Sequence, residues 1–510
     1  MTEPAPLPAT VSALTGALTR ASYTPEGIAA HLGPDATEAL YRGEPGVVRA
    51  ACGDGSQLSG LIRFFLLREP MGAGALAELL TPRLALSLLD ASVAAELPSG
   101  EVQVTLDVRP HVVAGDNRII VSDLDASTTP HVPGPDHVLG VGAASLSLLS
   151  AVPCSPVDSV LDLGTGSGVQ AIGQSGFAHR VVATDIHRRA LTLAEANLAG
   201  NGVGNVELRE GAWFDPVEGE RFDRIVANPP FVVGLPEVGH VYRDSGLSLD
   251  GATELVVNGA PAHLSPGGTA HILGSWVHTV EGGWRQRVAS WLPPTGVSAW
   301  VLQRDVVDPG MYVSTWLRDE SIDPRSREGI ERTLRWLGHL RDEGVSAIGF
   351  GWVFLRDIGD APSEITAEEL TQPFTDPLGP EAAEYFERAA WLRDATTDDI
   401  LASRFVVRPG VALEEVSVAD ADAGMGFTPR VTRLTRTDGP RFTHEIDSGL
   451  RSIVAGLHPD GLALGDIVEL WAASTGADAK GGLAASAAAA VVDLVRHGIV
   501  IPADIAEVVA

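Results

Sequence analysis

Cysteine, lysine and long apolar runs are what this chain has least of. Its 510 residues contain only Cys52 and Cys154. Two thiols so far apart exclude a disulfide framework and offer no metal-ligand spacing. His137, His240, His263, His271 and His278 show no such spacing either, so no metal site is expected. No apolar stretch approaches the ~20 residues needed to span a bilayer. The opening MTEPAPLPAT lacks the basic and apolar segments of a signal peptide. A cytoplasmic protein without a membrane partner is the expectation. Lys480 is the sole lysine, and 36 basic residues face 66 acidic ones for a formal net charge of -30. A nucleic-acid enzyme usually carries a basic stripe that displaces counterions from phosphates. Here only a local patch could do so, such as Arg404, Arg408, Arg430, Arg433, Arg436 and Arg441.

What is present falls into three segments. Residues 1–128 read as short helices followed by a β-hairpin. Thr24-Pro25-Glu26 is a helix start, with a capping hydroxyl and proline at the first helical position. Glu101 to Arg109 alternates as one strand, Ala114 to Asn117 turns, and Arg118 to Leu124 returns. A winged-helix-like module and a helical substrate-binding domain both fit. In residues 129–358 strands and helices alternate, which predicts a doubly wound α/β sheet. Its strands are expected at 159–163, 180–186, 205–211, 222–227, 268–276, 297–304 and 346–355. Residues 359–510 open with an acidic run over 360–399, read as a solvated face, and continue as an α+β region with helices near 450–457, 465–471 and 483–495. A winged-helix-like domain is one reading of it.

The first chemical signal is Asp162-Leu163-Gly164-Thr165-Gly166-Ser167-Gly168 at the end of the first core strand. Glycines at a strand-to-helix turn permit positive φ and close backbone approach to a ligand. A dinucleotide site wants G-x-G-x-x-G, yet Val169 stands at the third position and glycine comes one residue early. The second strand ends in Asp185, 23 residues past Asp162, where a carboxylate can accept both hydroxyls of a ribose or cap the next helix. Asp162, Gly164, Thr165, Gly166, Gly168, Asp185 and Ile186 are therefore candidate cofactor-binding residues. After the third strand, Ala212, Trp213 and Phe214 are placed to meet a base through backbone groups or rings. Upstream, Asp136 to Gly142 suits a loop over the far end of the ligand, or a plain linker turn.

The second signal is Asn228-Pro229-Pro230-Phe231, 66 residues after Asp162 and directly after the fourth strand. An amide or aromatic NH2 has a delocalised lone pair and is a poor nucleophile. The Asn228 side-chain oxygen and the Pro229 carbonyl can both accept from that NH2. Holding it in line with an electrophile supplies much of the rate. The prolines stiffen the loop, and the Phe231 ring can stack on a planar group. Asn228 is thus also placed beside the cofactor. Tyr242 and Arg243, in the loop after this clamp, are further candidates for the acceptor pocket.

Together these motifs resemble class I methyltransferases carrying NPP[YF], and most closely the HemK-like protein glutamine N5-methyltransferases. The resemblance covers roughly residues 131–280 and is best in DLGTGSG, TDI, GAWF and NPPFVV. It implies a seven-stranded Rossmann-like core, S-adenosylmethionine as cofactor, and Asn228 as the key acceptor-binding residue. Relatives usually have tyrosine where Phe231 stands, and often an aspartate where Ala212 stands. HemK-like proteins also place a helical domain and hairpin ahead of the core, whereas nothing in that family accounts for residues 359–510. Ribosomal RNA guanine-N2 and adenine-N6 methyltransferases share the clamp. A protein glutamine acceptor, on a basic partner such as a translation factor, is expected first. An RNA or DNA base is the alternative, and a non-catalytic relict the third reading. A monomer is expected.

Overall fold

A computed structural model of the chain describes residues 6–124, 136–234, 246–280, 282–319, 322–374, 376–476 and 482–506. Two compact units emerge, residues 1–149 with 154–369 and residues 150–153 with 370–510.

The first unit is organised by one sheet. Its strands are β1 (Val157–Leu163), β2 (Ala178–Asp185), β3 (Val206–Glu210), β4 (Phe222–Ala227), β5 (Leu264–Thr279), β6 (Thr295–Val307), β7 (Val345–Pro362) and β8 (Glu364–Glu369). They lie in the order β8-β6-β7-β5-β4-β1-β2-β3. The stretch from β3 to β5 is parallel, while β7 runs antiparallel to both β5 and β6. Val160, Leu161 and Leu163 of β1, Val181 to Ala183 of β2 and Ile225 to Ala227 of β4 are all buried. Such unbroken apolar runs belong to strands covered on both faces. The order of successive strands reverses between β1 and β4, so a crevice opens at their carboxyl ends, the usual ligand position in doubly wound sheets.

All seven expected strands are present, with an eighth beside them. Glu364–Glu369 pairs in parallel with β6 as the outer strand, so the core sheet continues past residue 358 into the acidic run. Charge hid it from sequence reading, because an edge strand needs only one apolar face and here offers half-buried Ile365 and Ala367 to the core. Between β6 and β7 the chain also inserts two helices, Pro309–Asp319 and Arg327–Asp342.

Ahead of the sheet, six helices between Leu7 and Asp90 enclose a core built on Leu14, Leu18, Tyr23, Phe64, Phe65 and Leu88. The Thr24 hydroxyl caps its helix by accepting from the Gly27 N–H at 3.0 Å. The strand expected over Glu101 to Arg109 is in fact two. Glu101–Val104 joins a small three-stranded sheet, and Asp107–Val113 pairs with Asp116–Ser122 as a separate hairpin. Thr105 makes the break, donating its backbone N–H to Val93 and its hydroxyl to Ser92. The hairpin turns on Ala114 and Gly115, both at positive φ, as a two-residue connection requires.

Among its described residues, the second unit surrounds Phe405, Leu434, Leu464, Val491, Leu494 and Val500 with five α-helices and two small sheets. The helix Leu378–Asp394 carries a correction to the reading of 360–399 as a solvated face. Glu381 and Arg388 on that helix are buried. They belong to a closed ring of alternating charge, Arg388–Glu381–Arg436–Asp438–Arg408–Glu384, which returns to Arg388.

Candidate functional site

The crevice holds a cavity of about 320 Å³. Its walls come from the carboxyl ends of four neighbouring strands: Leu163 to Ser167 after β1, Thr184 to His187 after β2, Gly211 to Trp213 after β3, and Asn228 to Pro230 after β4. Asp136 to Gly140 form a further wall.

The glycine turn is held open by hydrogen bonds from beneath. Gly164, Gly166 and Gly168 have φ of 75°, 54° and 85°, a region that disfavours any side chain. A Cβ on Gly164 or Gly166 would meet nothing within 4 Å, because that space is the cavity, whereas one on Gly168 would press on Ala194. Thr165 donates its N–H to the Thr184 carbonyl at 2.8 Å, tying the loop to β2. Its hydroxyl donates to Asp162 Oδ2 at 2.6 Å, and the Ala171 N–H donates to the same oxygen at 3.0 Å. Asp162 therefore stays under the loop, 1% exposed, and does not face the cavity. Burial pushes its carboxyl up to about 7 against the two hydrogen bonds, and the nearby Asp185 charge adds to the rise.

Asp185 does face the cavity. Its Oδ2 accepts from the Gly166 N–H at 3.0 Å and its Oδ1 from the His187 N–H at 2.9 Å. Each oxygen keeps a second lone pair, enough for two hydroxyl donors. Burial raises this carboxyl above the ordinary range, and the two N–H groups restrain the rise. Ile186, more than half exposed, supplies an apolar surface at the rim. Trp213, also on the wall, has φ of 49°. A bulky residue in the left-handed region is strained by about 1–3 kcal/mol and tends to mark functional sites. Ala212 lines the wall with no side-chain polar atom, so the backbone and the Trp213 ring are what it offers a base.

Asn228 is half-buried at the cavity edge, and its side chain makes no hydrogen bond to any described residue. The segment after it is firmly fixed. The Ser275 hydroxyl donates to the Phe231 carbonyl at 2.5 Å. Val233 donates its N–H to the Tyr312 hydroxyl at 2.6 Å, and its carbonyl accepts from Trp336 Nε1–H at 3.1 Å. Tyr312 and Trp336 come from the two inserted helices. Phe231 lies off the cavity wall and meets Phe350 edge-on at 6.5 Å. Tyr242 and Arg243 lie outside the described residues. Sequence reading missed Ser275, Tyr312 and Trp336, since none is near the clamp in the chain and none belongs to a local motif. His187, Ser167 and Gln170, also on the wall, could have been found as immediate neighbours of the two motifs.

The wall thus offers a carboxylate with lone pairs to spare in Asp185, apolar and aromatic surface in Ile186 and Trp213, and a glycine turn with empty side-chain space. Residues 139–276 match the family described as Methyltransferase small domain. Residues 20–105 and 383–502 match two families described as domains of unknown function, DUF7059 and DUF7782. The chain is 38% identical over 142 residues to a release factor glutamine methyltransferase of Xylella fastidiosa, covering 26% of this chain and 48% of the relative. It is 33% identical over 195 residues to the Yersinia pestis protein of that name, covering 36% and 66%. With a ribosomal RNA small subunit methyltransferase C of Citrobacter koseri the identity is 34% over 155 residues, covering 30% and 41%. The chain thus spans about half the length of the first relatives it matches. On the strand order, the cavity at the switch point and these matches, residues 139–276 form a class I methyltransferase small domain of the HemK-like type.

Proposed function

We propose that the protein is an S-adenosylmethionine-dependent N-methyltransferase acting on the planar amide nitrogen of a protein glutamine, as a cytoplasmic monomer. One observation carries this reading. Asn228, at the carboxyl end of β4 on the cavity edge, has a side-chain amide with no partner among the described residues. Its loop, meanwhile, is fixed by Ser275, Tyr312 and Trp336. A rigid loop that presents unused acceptors is what orienting an NH2 group requires.

S-adenosylmethionine, when bound, supplies an electrophilic methyl on a sulfonium sulfur. Asp185 would accept from the ribose hydroxyls, Ile186 and Trp213 would flank the base, and the loop Gly164 to Gly166 with Asp136 to Gly140 would pass the methionine portion. Asn228 Oδ1 and the Pro229 carbonyl would accept from the acceptor NH2 and point its lone pair at the methyl. No side chain needs to remove a proton before attack, since the nitrogen becomes acidic only as the new bond forms. The release-factor relatives and the acidity of the chain, suited to a basic partner, support a protein acceptor. The relatives that act on ribosomal RNA support a second reading, an RNA or DNA base. We also read residues 1–128 and, beyond the outer strand of the core sheet, residues 370–510 as flanking domains that present the acceptor, a division supported by separate family matches in each.

The test is methyl transfer from labelled S-adenosylmethionine in cell lysate, fractionated into protein and RNA. Label is expected in a protein band with the wild type and in nothing with Asn228→Ala, while S-adenosylhomocysteine affinity stays within about twofold because Asn228 holds the acceptor. Label in RNA would overturn the glutamine reading, and loss of ligand affinity in Asn228→Ala would overturn the role of that residue.

A further inference from the structure

One helix, Arg188–Gly200, ties the glycine turn to a segment far away in the chain. Asn197 on this helix is fully buried. Its Nδ2 donates to the Ser167 carbonyl in the glycine turn and to the Val121 carbonyl, both at 2.8 Å, while Oδ1 accepts from the Val121 N–H at 2.7 Å. Asn201, one turn on, repeats the exchange with Ile119: its Oδ1 accepts the N–H at 3.1 Å and its Nδ2 donates to the carbonyl at 2.9 Å. The hairpin strand Asp116–Ser122 is thereby paired to side-chain amides of a helix much as it would be to a neighbouring strand.

The third connection reaches the cavity wall. Arg189, on the same helix, forks onto Asp123: Nε donates to Oδ2 at 2.9 Å and Nη2 to Oδ1. Asp123 Oδ2 also accepts from the Val138 N–H at 2.8 Å, and the Asp123 N–H donates to the Val138 carbonyl at 3.1 Å. Val138 is the middle of the wall Asp136 to Gly140, and Ala190, next to Arg189, lines the same cavity. Asp123 is 9% exposed and lines no part of the cavity itself.

We propose that Asp123 and Arg189 are a positioning pair for the cofactor, holding the 136–140 wall against the helix that carries Ala190, a role that rests on the cavity being the S-adenosylmethionine site. The carboxylate is needed for its charge as well as its shape. An asparagine could still accept from Val138, but it would present an NH2 to one arm of the Arg189 fork and lose the charge-assisted pair. Cofactor affinity then depends on a pair that never touches the ligand.

The test is calorimetric titration of the full chain with S-adenosylhomocysteine, for the wild type, Asp123→Asn and Arg189→Lys. Asp123→Asn is expected to bind about tenfold more weakly, the scale of one lost charge-assisted pair. Its ligand-induced rise in melting temperature, measured from its own ligand-free value, should shrink, a change that general loss of packing alone would not give. Arg189 is partly exposed, so Arg189→Lys is expected to fold normally. It keeps the charge without the fork and should fall between the other two. If Asp123→Asn melts early, Arg189→Lys alone decides. Wild-type affinity in both variants overturns the pair's role. Failure of the wild type to bind overturns the cofactor reading itself, and the pair with it.

Discussion

Asp162 gives this fold a pH dependence that can be worked out in advance. Its carboxyl is 1% exposed and is pushed from an ordinary 3.8 up to about 7 by burial, with the Asp185 charge adding to the rise. The folded protein therefore binds a proton at this site that the unfolded chain has already released above about pH 4. A raised folded value contributes stability that is full below the unfolded pKa and is lost as pH rises through the folded one. The shift is about three units, so at ~1.4 kcal/mol per unit the whole effect is roughly 4 kcal/mol. About 3 kcal/mol of this should disappear between pH 5 and pH 8.

Asp162→Asn isolates that contribution. The new amide oxygen can take the place of Oδ2 and keep the bonds from the Thr165 hydroxyl and the Ala171 N–H. Whatever its NH2 costs in place of the other carboxylate oxygen is at most about 1–3 kcal/mol. That cost does not vary with pH, so it drops out of the slope. The assay is urea unfolding of the ligand-free protein from pH 5 to pH 8 by tryptophan fluorescence. All tryptophans except Trp391 and Trp471 lie in the unit that holds Asp162. The variant is expected to lose less stability than the wild type as pH rises, by about 3 kcal/mol over the range. A difference between the two proteins that stays flat with pH would refute the argument and mean that Asp162 is ionised throughout.

Three further outcomes follow from the same geometry. Asp185→Ala removes the proposed acceptor for the ribose hydroxyls and the bonds from Gly166 and His187, and calorimetry should show S-adenosylhomocysteine binding weakened by about 10- to 100-fold; unchanged affinity would place the ribose elsewhere. Tyr312→Phe leaves the buried Val233 N–H without its partner, which costs about 1–3 kcal/mol. That variant should lose methyl-transfer rate while binding the cofactor as before, and single-turnover kinetics would separate the two. Glu381 lies buried between Arg388 and Arg436, and although burial raises its carboxyl, the two guanidiniums hold it below the usual range. Glu381→Ala opens the ring, leaves the buried Arg388 and Arg436 with only the Glu384 and Asp438 carboxylates, and should destabilise the second unit by about 3 kcal/mol, read as an earlier unfolding transition by circular dichroism, with S-adenosylhomocysteine affinity unchanged.

The parts of the site legible in sequence are those whose chemistry is local. Gly164, Gly166 and Asp185 could be read because a strand-to-helix turn forces glycine and a strand end aims its side chain at the crevice. Asp162 belongs to the same motif yet serves it from below, and no spacing rule separates a residue that touches the ligand from one that holds the loop. The clamp was legible as Asn228 to Phe231, but its anchors were not. Ser275, Tyr312 and Trp336 reach it from β5 and from inserted helices whose bonds span 79 and 103 residues, where each reads as an ordinary core or polar residue.

Charge misled the reading of the region past residue 358 for a related reason. A carboxylate in a sequence is presumed solvated, because burying one alone is prohibitive. The presumption fails when opposite charges arrive from distant segments, and the ring does this with Glu381, Glu384 and Arg388 from one helix and Arg408, Arg436 and Asp438 from the strands and turns beyond it. The Asp123–Arg189 pair is the same phenomenon on a smaller scale, spanning 66 residues. In each case burial is permitted by a partner that the local sequence does not announce. Acidic side chains that the fold buries are therefore the places where sequence reading of this chain fails, and they are also where mutation should move stability or ligand affinity most.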